Sequence, residues 1–143
     1  MAVECTLSNH WKYQLGKKLV DVSADTFKII LMNTSFAFDK DAHATLADVS
    51  SDELSTGYGY TQQNKELSGG SWAEDDDNDA GARTFDDATW TASGGSIGPA
   101  GAAIIYDDST ADDTVVGCID FGDDITIPEG MSLQISDPTI KNS

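Results

Sequence analysis

The feature that most limits the possible folds is a succession of short apolar runs in the second half of the chain. Each run is closed by a turn rich in Asp, Gly or Ser, as in "ATWTAS", "AAIIYDD", "TVVGCIDFG" and "GMSLQIS". In the last run Met131, Leu133 and Ile135 alternate with polar residues, which is the period of a strand with one buried face. Several short strands at nearly even spacing are typical of an antiparallel sandwich or barrel.

The first half of the chain adds one strong strand and two weaker helices. The run "FKIILM", residues 27–32, is apolar on both faces and predicts a central strand covered on each side. A Ser8 or Asn9 cap and Gly16 bound a short helix near residues 8–18. Asp39 can cap a second helix near residues 40–50. We therefore predict a mainly β protein: an antiparallel β-sandwich, jelly-roll-like, with one or two short helices.

Charge divides the chain more clearly than apolar content does. The 143 residues hold 25 acidic and 8 basic side chains, for a net charge of −17. Residues 1–28 carry four lysines against three acids, whereas the remaining residues net −18. We predict an N-terminal arm with a short helix over residues 1–24 and a single sandwich domain over residues 25–143. So acidic a surface repels nucleic acid and anionic membrane, and the start of the chain has no signal-peptide pattern, which predicts a soluble protein made in a cytoplasm.

Catalytic patterns are weak, and we expect no enzyme and no cofactor. The chain has no G-x-S-x-G motif, and neither His10 nor His43 stands in a zinc-binding spacing. Three pairs of adjacent aspartates, at 107–108, 112–113 and 123–124, follow or interrupt apolar runs. Neighbouring residues of a strand point to opposite faces, so such pairs are expected to mark turns rather than to converge on a substrate. Cys5 and Cys118 are expected to be free thiols.

Two non-catalytic binding sites, one for calcium and one for a carbohydrate, are alternatives that the sequence leaves undecided. Asp75, Asp77 and Asp79 have the alternate spacing of a calcium loop, but Ala80 stands where an EF-hand needs glycine. A solvated loop is favoured there, with a looser calcium site as the alternative. Trp11, Trp72 and Trp90 offer flat rings for a carbohydrate, although Trp90 has the pattern of a core residue.

The order of motifs resembles a family of small virion structural proteins encoded beside the capsid genes of tailed bacteriophages. The resemblance is carried, over roughly residues 13–136, by "LGKKLVDVSADTFKIILM", "FDKDAHATLADVSSDELSTGYGYT", "DDATWTASGGSIGPAGAAIIYDD" and "VVGCIDFGDDITIPEGMSLQI". Its most specific parts are "GYGYT", "TWTA" and "IDFG". The chain departs from the family pattern in the loop "SGGSWAEDDDND" and at Cys118, where an aromatic residue is commoner.

The resemblance implies a capsid decoration, or cement, protein without enzymatic activity. It implies a location on the capsid exterior, with the major capsid protein and further copies of itself, as a dimer or trimer, as partners. We expect no nucleic-acid or membrane partner. The segment with Trp11, Lys12, Lys17 and Lys18 is the expected contact with the capsid or between copies, because an aromatic anchor among lysines suits an acidic neighbour. The alternative is a calcium- or glycan-binding sandwich module, in a head fibre or tail component, that recognises a cell surface.

Overall fold

The computed structural model describes residues 3–143 and shows ten strands and three short helical segments. In chain order these are β1 (Val3–Glu4), β2 (Thr6–Leu7), α1 (Asn9–Gly16), β3 (Phe27–Met32), α2 (Leu46–Val49), a 3-10 turn (Ser50–Asp52), β4 (Ala73–Asp75), β5 (Ala80–Thr84), β6 (Ala88–Thr91), β7 (Ile97–Asp107), β8 (Val115–Ile127), β9 (Ser132–Ile135) and β10 (Pro138–Asn142). The prediction of a mainly β, antiparallel sandwich with short helices in both regions is confirmed. The jelly-roll arrangement stays a prediction.

The strands form a central sheet in the order β2-β8-β7-β3, a second sheet in the order β1-β10-β5-β4, and a β6-β9 hairpin-like pair. All neighbours are antiparallel except β1 and β10. One face of the central sheet, with Phe27, Ile105 and Val116, packs on Trp90 and Ile140 to form the main core. The β-sandwich therefore encloses this core between the central sheet and the other two.

The other face of the central sheet carries a second, smaller core. Ile30, Ile104 and Val115 lie in it, covered by Val49 and the partly buried Phe38. The chain between β3 and α2 thus acts as a lid over this face. Because both faces are covered, β3 and β7 are apolar on nearly every residue, as continuous burial requires.

The position of β3 differs from the prediction of a central strand. It is an edge strand of the central sheet, and β7 is the one strand of that sheet with which it pairs. The irregular segment from Glu53 to Leu67 covers its open edge: Leu54 N–H donates to Leu31 O at 2.9 Å and Leu67 N–H to Phe27 O at 2.8 Å. The apolar run therefore predicted correctly that β3 is covered on both faces. It did not predict that the backbone of a loop, rather than another strand, pairs with one edge of β3.

The second helix is shorter than the predicted 40–50. Residues 40–44 form turns, and α2 begins only at Leu46 because Thr45 is its N-cap. The carboxylate of Asp48 accepts the Thr45 N–H at 2.9 Å, and a β-bridge to Thr114 holds Thr45 extended. The distant strand thus sets where the helix starts.

The arm was predicted over residues 1–24, and its described part, residues 3–24, contributes strands and core side chains to the sandwich. Val3 pairs with Pro138, and Thr6 pairs with Cys118. The chain therefore crosses from one sheet to the other within five residues, and the boundary predicted at residue 24 does not separate two packing units. No helix within residues 3–143 combines the length and apolar character needed to cross a bilayer.

Candidate assembly surface

Helix α1 is held by its N-cap. Ser8 is fully buried, its Oγ accepts the Trp11 N–H at 3.0 Å, and the same hydroxyl donates to Val115 O at 2.5 Å. One side chain therefore starts the helix and fastens it to β8. The predicted helix near residues 8–18, with a serine cap and a glycine at its end, is confirmed.

Trp11 lies on the inner face of this helix and is not available as a contact. It is 0% exposed and belongs to the main core. Its indole Nε1 has no hydrogen-bond partner among the described residues, so its role is apolar packing. A helix of two turns must bury one face, and the tryptophan supplies most of the apolar area for that purpose. This corrects the predicted contact set.

The three lysines of the predicted contact set lie on the outer face of α1 and in the turn that follows it. Lys12, Lys17 and Lys18 are exposed, and so are Tyr13 at 59% and Leu19 at 55%. We call these five residues the α1 surface. The Lys17 Nζ lies 5.3 Å from the centre of the Tyr13 ring, and no lysine of the surface forms an ion pair within residues 3–143. Exposed apolar and cationic groups are thus adjacent and free to meet a partner.

An acidic loop borders the α1 surface. The His10 Nε2 lies 2.8 Å from the Asp112 Oδ2, and the His10 and Tyr13 rings stack with centroids 6.4 Å apart. Although partial burial opposes it, hydrogen bonds from Thr114 and His10 lower the pKa of Asp112. Asp112 therefore stays ionised and fixes the loop between β7 and β8 against the helix, which confirms a structural role for this aspartate pair.

The acidic residues considered for calcium lie at the end of β4 and in the turn that follows it. Asp75 ends β4, and its carboxylate accepts the Asn78 side-chain amide at 2.8 Å, while Asp77 and Asp79 lie exposed in the turn that leads to β5. Within residues 3–143 no three His, Cys, Asp or Glu side chains converge as possible metal ligands. The three carboxylates thus lie in or beside an exposed turn, and the looser calcium site stays an untested alternative.

The three tryptophans do not share a surface either. Trp11 and Trp90 are 0% and 3% exposed, respectively, and both belong to the main core. Trp72 is half-buried against the same core, where the Cα of Gly81 faces its ring. A glycan platform built from these three rings is therefore excluded by their burial.

Two buried acidic groups escaped the sequence patterns. Asp107 is fully buried at the end of β7, where burial, and then a hydrogen bond with the Asp25 carboxyl, raise its pKa to about 8. Its Oδ1 accepts the Ser109 N–H at 2.9 Å, whereas its buried Oδ2 meets no donor among residues 3–143. When protonated, Asp107 can donate to the Asp25 carboxyl, and this contact joins the 21–26 turn to β7.

Glu53 is the second such group, and its site is fully satisfied. The Tyr60 hydroxyl donates to Glu53 Oε2 at 2.7 Å and accepts the Leu31 N–H at 3.0 Å, and Gln63 donates two further hydrogen bonds to the carboxylate. This network fastens the segment that covers β3. Tyr60 belongs to the "GYGYT" motif, but only the fold shows that its hydroxyl meets the Glu53 carboxylate.

The cysteines are buried and free. Burial raises the pKa of both thiols to about 12, which keeps them protonated and unreactive at neutral pH. Cys5 packs in the main core and Cys118 in the second, so they lie on opposite faces of the central sheet. The expectation of two free thiols is confirmed.

The most specific sequence motifs have structural roles. Gly59 of "GYGYT" has φ 97°, and a Cβ there would lie 2.2 Å from the Thr91 carbonyl oxygen in "TWTA". The Ser93 N–H donates to Tyr58 O at 2.9 Å beside it. In "IDFG" the Asp120 carboxylate accepts the Gly122 N–H at 2.8 Å. These motifs therefore fix turns and close packing rather than a reactive centre.

Comparison of the chain with protein-family models, with curated proteins and with solved structures found no match. The resemblance to virion proteins therefore stays a prediction that the sequence motifs carry.

Proposed function

We propose that the protein is a non-enzymatic structural protein of a phage virion. It decorates the outer surface of the capsid, and the α1 surface contacts the major capsid protein or a neighbouring copy. The observation that carries this proposal is the α1 surface itself. Three lysines that form no ion pair within residues 3–143 lie together with the exposed side chains of Tyr13 and Leu19, on a chain whose net charge is −17.

The chemistry of this surface suits a protein partner. Exposed tyrosine next to cationic groups is enriched at the energetic centres of interfaces, and lysines around it attract an acidic patch. The strongly acidic remainder keeps the protein away from the packaged genome and limits aggregation in a crowded cell. Closed symmetric shells favour binding as a dimer or trimer. Each of these properties supports a decoration role.

The experiment measures loading onto capsids assembled without the protein. Deletion of the N-terminal segment is unsuitable, because its side chains fill the core. Instead, Tyr13→Ala alone and Lys12→Glu with Lys17→Glu should each weaken binding by roughly tenfold or more, the usual effect at an interface centre. The charge variant should also lose the salt dependence of binding.

Tyr58→Ala is the matched control, because Tyr58 is 58% exposed on a different loop. It should load like the wild type. Circular dichroism and the unfolding midpoint verify that every variant remains folded. If the α1 variants load with unchanged affinity and stoichiometry, the α1 surface is not the contact and the proposal loses its main support.

A further inference from the structure

A groove separates the outer half of β8 from β9. Its volume is about 510 Å³, within the range of pockets that hold ligands. The apolar side chains that line it are those of Val3, Ile119, Phe121, Ile125, Leu133 and Ile135. Several of them, including Phe121 and Leu133, are only partly buried although they pack against the main core. The groove therefore exposes an edge of the core to solvent.

Both walls of the groove are strand edges. Consecutive residues line it on each side, at 119–121 in β8 and at 133–136 along β9. Since alternate side chains of a strand point to opposite faces, a consecutive run lines a groove only where the backbone edge faces it. A strand edge presents unpaired N–H and C=O groups to any segment that enters.

These edges lack partner strands within residues 3–143. β9 pairs with β6 alone, and on the side away from β7 the pairing of β8 with β2 stops at Cys118. A bulge then displaces the chain, since Asp120 pairs with Ala102 but the next paired residue is Ile125. The groove is thus a gap in the sandwich of the kind that a further strand fills.

The charges around the groove select the kind of strand. Asp120 lines it, and Asp123 and Asp124 lie in the bulge between Phe121 and Ile125. Among the described residues that line the groove there is no lysine, arginine or histidine. Lys141 of β10 is the basic residue that follows the groove residues in sequence. It forms an ion pair with Glu4 of β1, in which Nζ and Oε1 are 2.7 Å apart. A second copy of this acidic chain is disfavoured, whereas a cationic segment is attracted.

We propose that the groove binds an extended segment of a partner protein in which basic residues alternate with small apolar ones. The segment adds a strand between β8 and β9: its backbone bonds to the free edges, its apolar side chains cover the groove floor, and its basic side chains meet the aspartates. The groove shares no residue with the α1 surface, so this inference holds or fails independently of the capsid role.

Calorimetry of the full chain at physiological salt tests the inference with a short capped peptide in which lysine alternates with valine. We expect saturable binding of one peptide per chain. A peptide of identical composition with its lysines and valines in separate blocks controls for general attraction to an acidic protein. A third peptide with glutamate in place of lysine tests the charge preference. Both controls should bind at least about tenfold more weakly.

Variants locate the binding site. Leu133→Lys places a cation in the groove and should weaken binding by about tenfold or more, whereas Met131→Lys, at a 59% exposed position two residues away, should change it by less than about twofold. Asp120→Asn is a second variant, which tests the site if Leu133→Lys fails to fold. It retains the acceptor for the Gly122 N–H and should weaken peptide binding severalfold, because one negative charge is lost.

Amide shifts in nuclear magnetic resonance spectra give an independent readout. The alternating peptide should perturb residues 119–125 and 132–136. Three results would each overturn the inference: equal binding of the alternating and block peptides, equal loss in the Met131 and Leu133 variants, or shifts confined to the acidic turn at 76–79. Each would show that the peptide is attracted by net charge without a strand site.

Discussion

Replacing Asp107 with asparagine should remove a large part of the pH sensitivity of this fold. The carboxyl is fully buried, accepts the Ser109 N–H at 2.9 Å and shares a hydrogen bond with Asp25. Asparagine has nearly the same shape and keeps an oxygen for Ser109. Its amide group donates permanently to Asp25, so the variant contains no proton that can be lost.

The magnitude follows from proton linkage. Burial, together with the Asp25 carboxyl, raises the pKa of Asp107 to about 8, whereas an aspartate in an unfolded chain titrates near 3.9. Between these values the folded state holds a proton that the unfolded state has lost. The stabilising contribution is therefore complete below about pH 4 and is lost as the pH rises through about 8. The free energy of unfolding should fall by on the order of 1 kcal/mol per pH unit in this window, relative to the variant.

Urea unfolding from pH 5 to pH 9, followed by the fluorescence of the buried tryptophans, measures this difference. The advantage of the asparagine variant should be smallest at pH 5 and should grow by on the order of 1 kcal/mol per pH unit up to about pH 8. Asp123→Asn is the matched control because it removes one charge from an exposed position on β8. It should shift stability by no more than about 0.5 kcal/mol. Parallel curves for the wild type and Asp107→Asn would refute the proton held by Asp107.

Two further substitutions test the core and the cover of β3 by chemical denaturation. Trp11→Ala should lower the free energy of unfolding by about 3–5 kcal/mol, because it empties a fully buried site, whereas Tyr13→Ala on the outer face should change it by less than about 0.5 kcal/mol. A small effect of Trp11→Ala would contradict its assignment to the core. Tyr60→Phe should cost about 1–3 kcal/mol, because Glu53 loses a buried donor. Tyr58→Phe is its exposed control, and equal effects of the two would argue against the network.

The local patterns predicted five of the ten strands, β3 and β6 to β9, because they depend on neighbours in sequence. The other five strands, of two to five residues each, were not predicted. The alternation at Met131, Leu133 and Ile135 gave β9 without knowledge of its partner, and the cap at Ser8 with Gly16 bounded α1. The acidic residues after Asp75 predicted the turn between β4 and β5, but neither of these two strands. Side-chain period and backbone preference act over a few residues, so a single sequence contains them in full.

Local patterns could not predict on which face of the sheet each side chain of the long strands lies. The alternation in "VVGCIDFG" places Val115 on the face of Ile119, but the structure puts Val115 in the second core and Val116 with Ile119 in the main one. The reason is a bulge: Tyr106 pairs with Val115 and Ile105 with Gly117, so one residue of β8 is left over. A bulge belongs to a pair of strands and has no signature in one of them.

The candidate sites, too, were predicted from the sequence only in part. The sequence identified the cationic segment from its lysines, but only the fold decided that Trp11 turns inward and that Tyr13 and Leu19 remain outside. The groove between β8 and β9 and the Asp25–Asp107 pair join residues that are tens of positions apart.

The sequence by itself determined the class of the fold, the places of β3, of β6 to β9 and of several turns, and the acidic net charge, because composition and short-range periodicity fix them. Tertiary structure alone decided which aspartate is buried, which aromatic side chains are exposed and which strand edges stay open. Those outcomes depend on what covers each residue, and the covering segments come from distant parts of the chain.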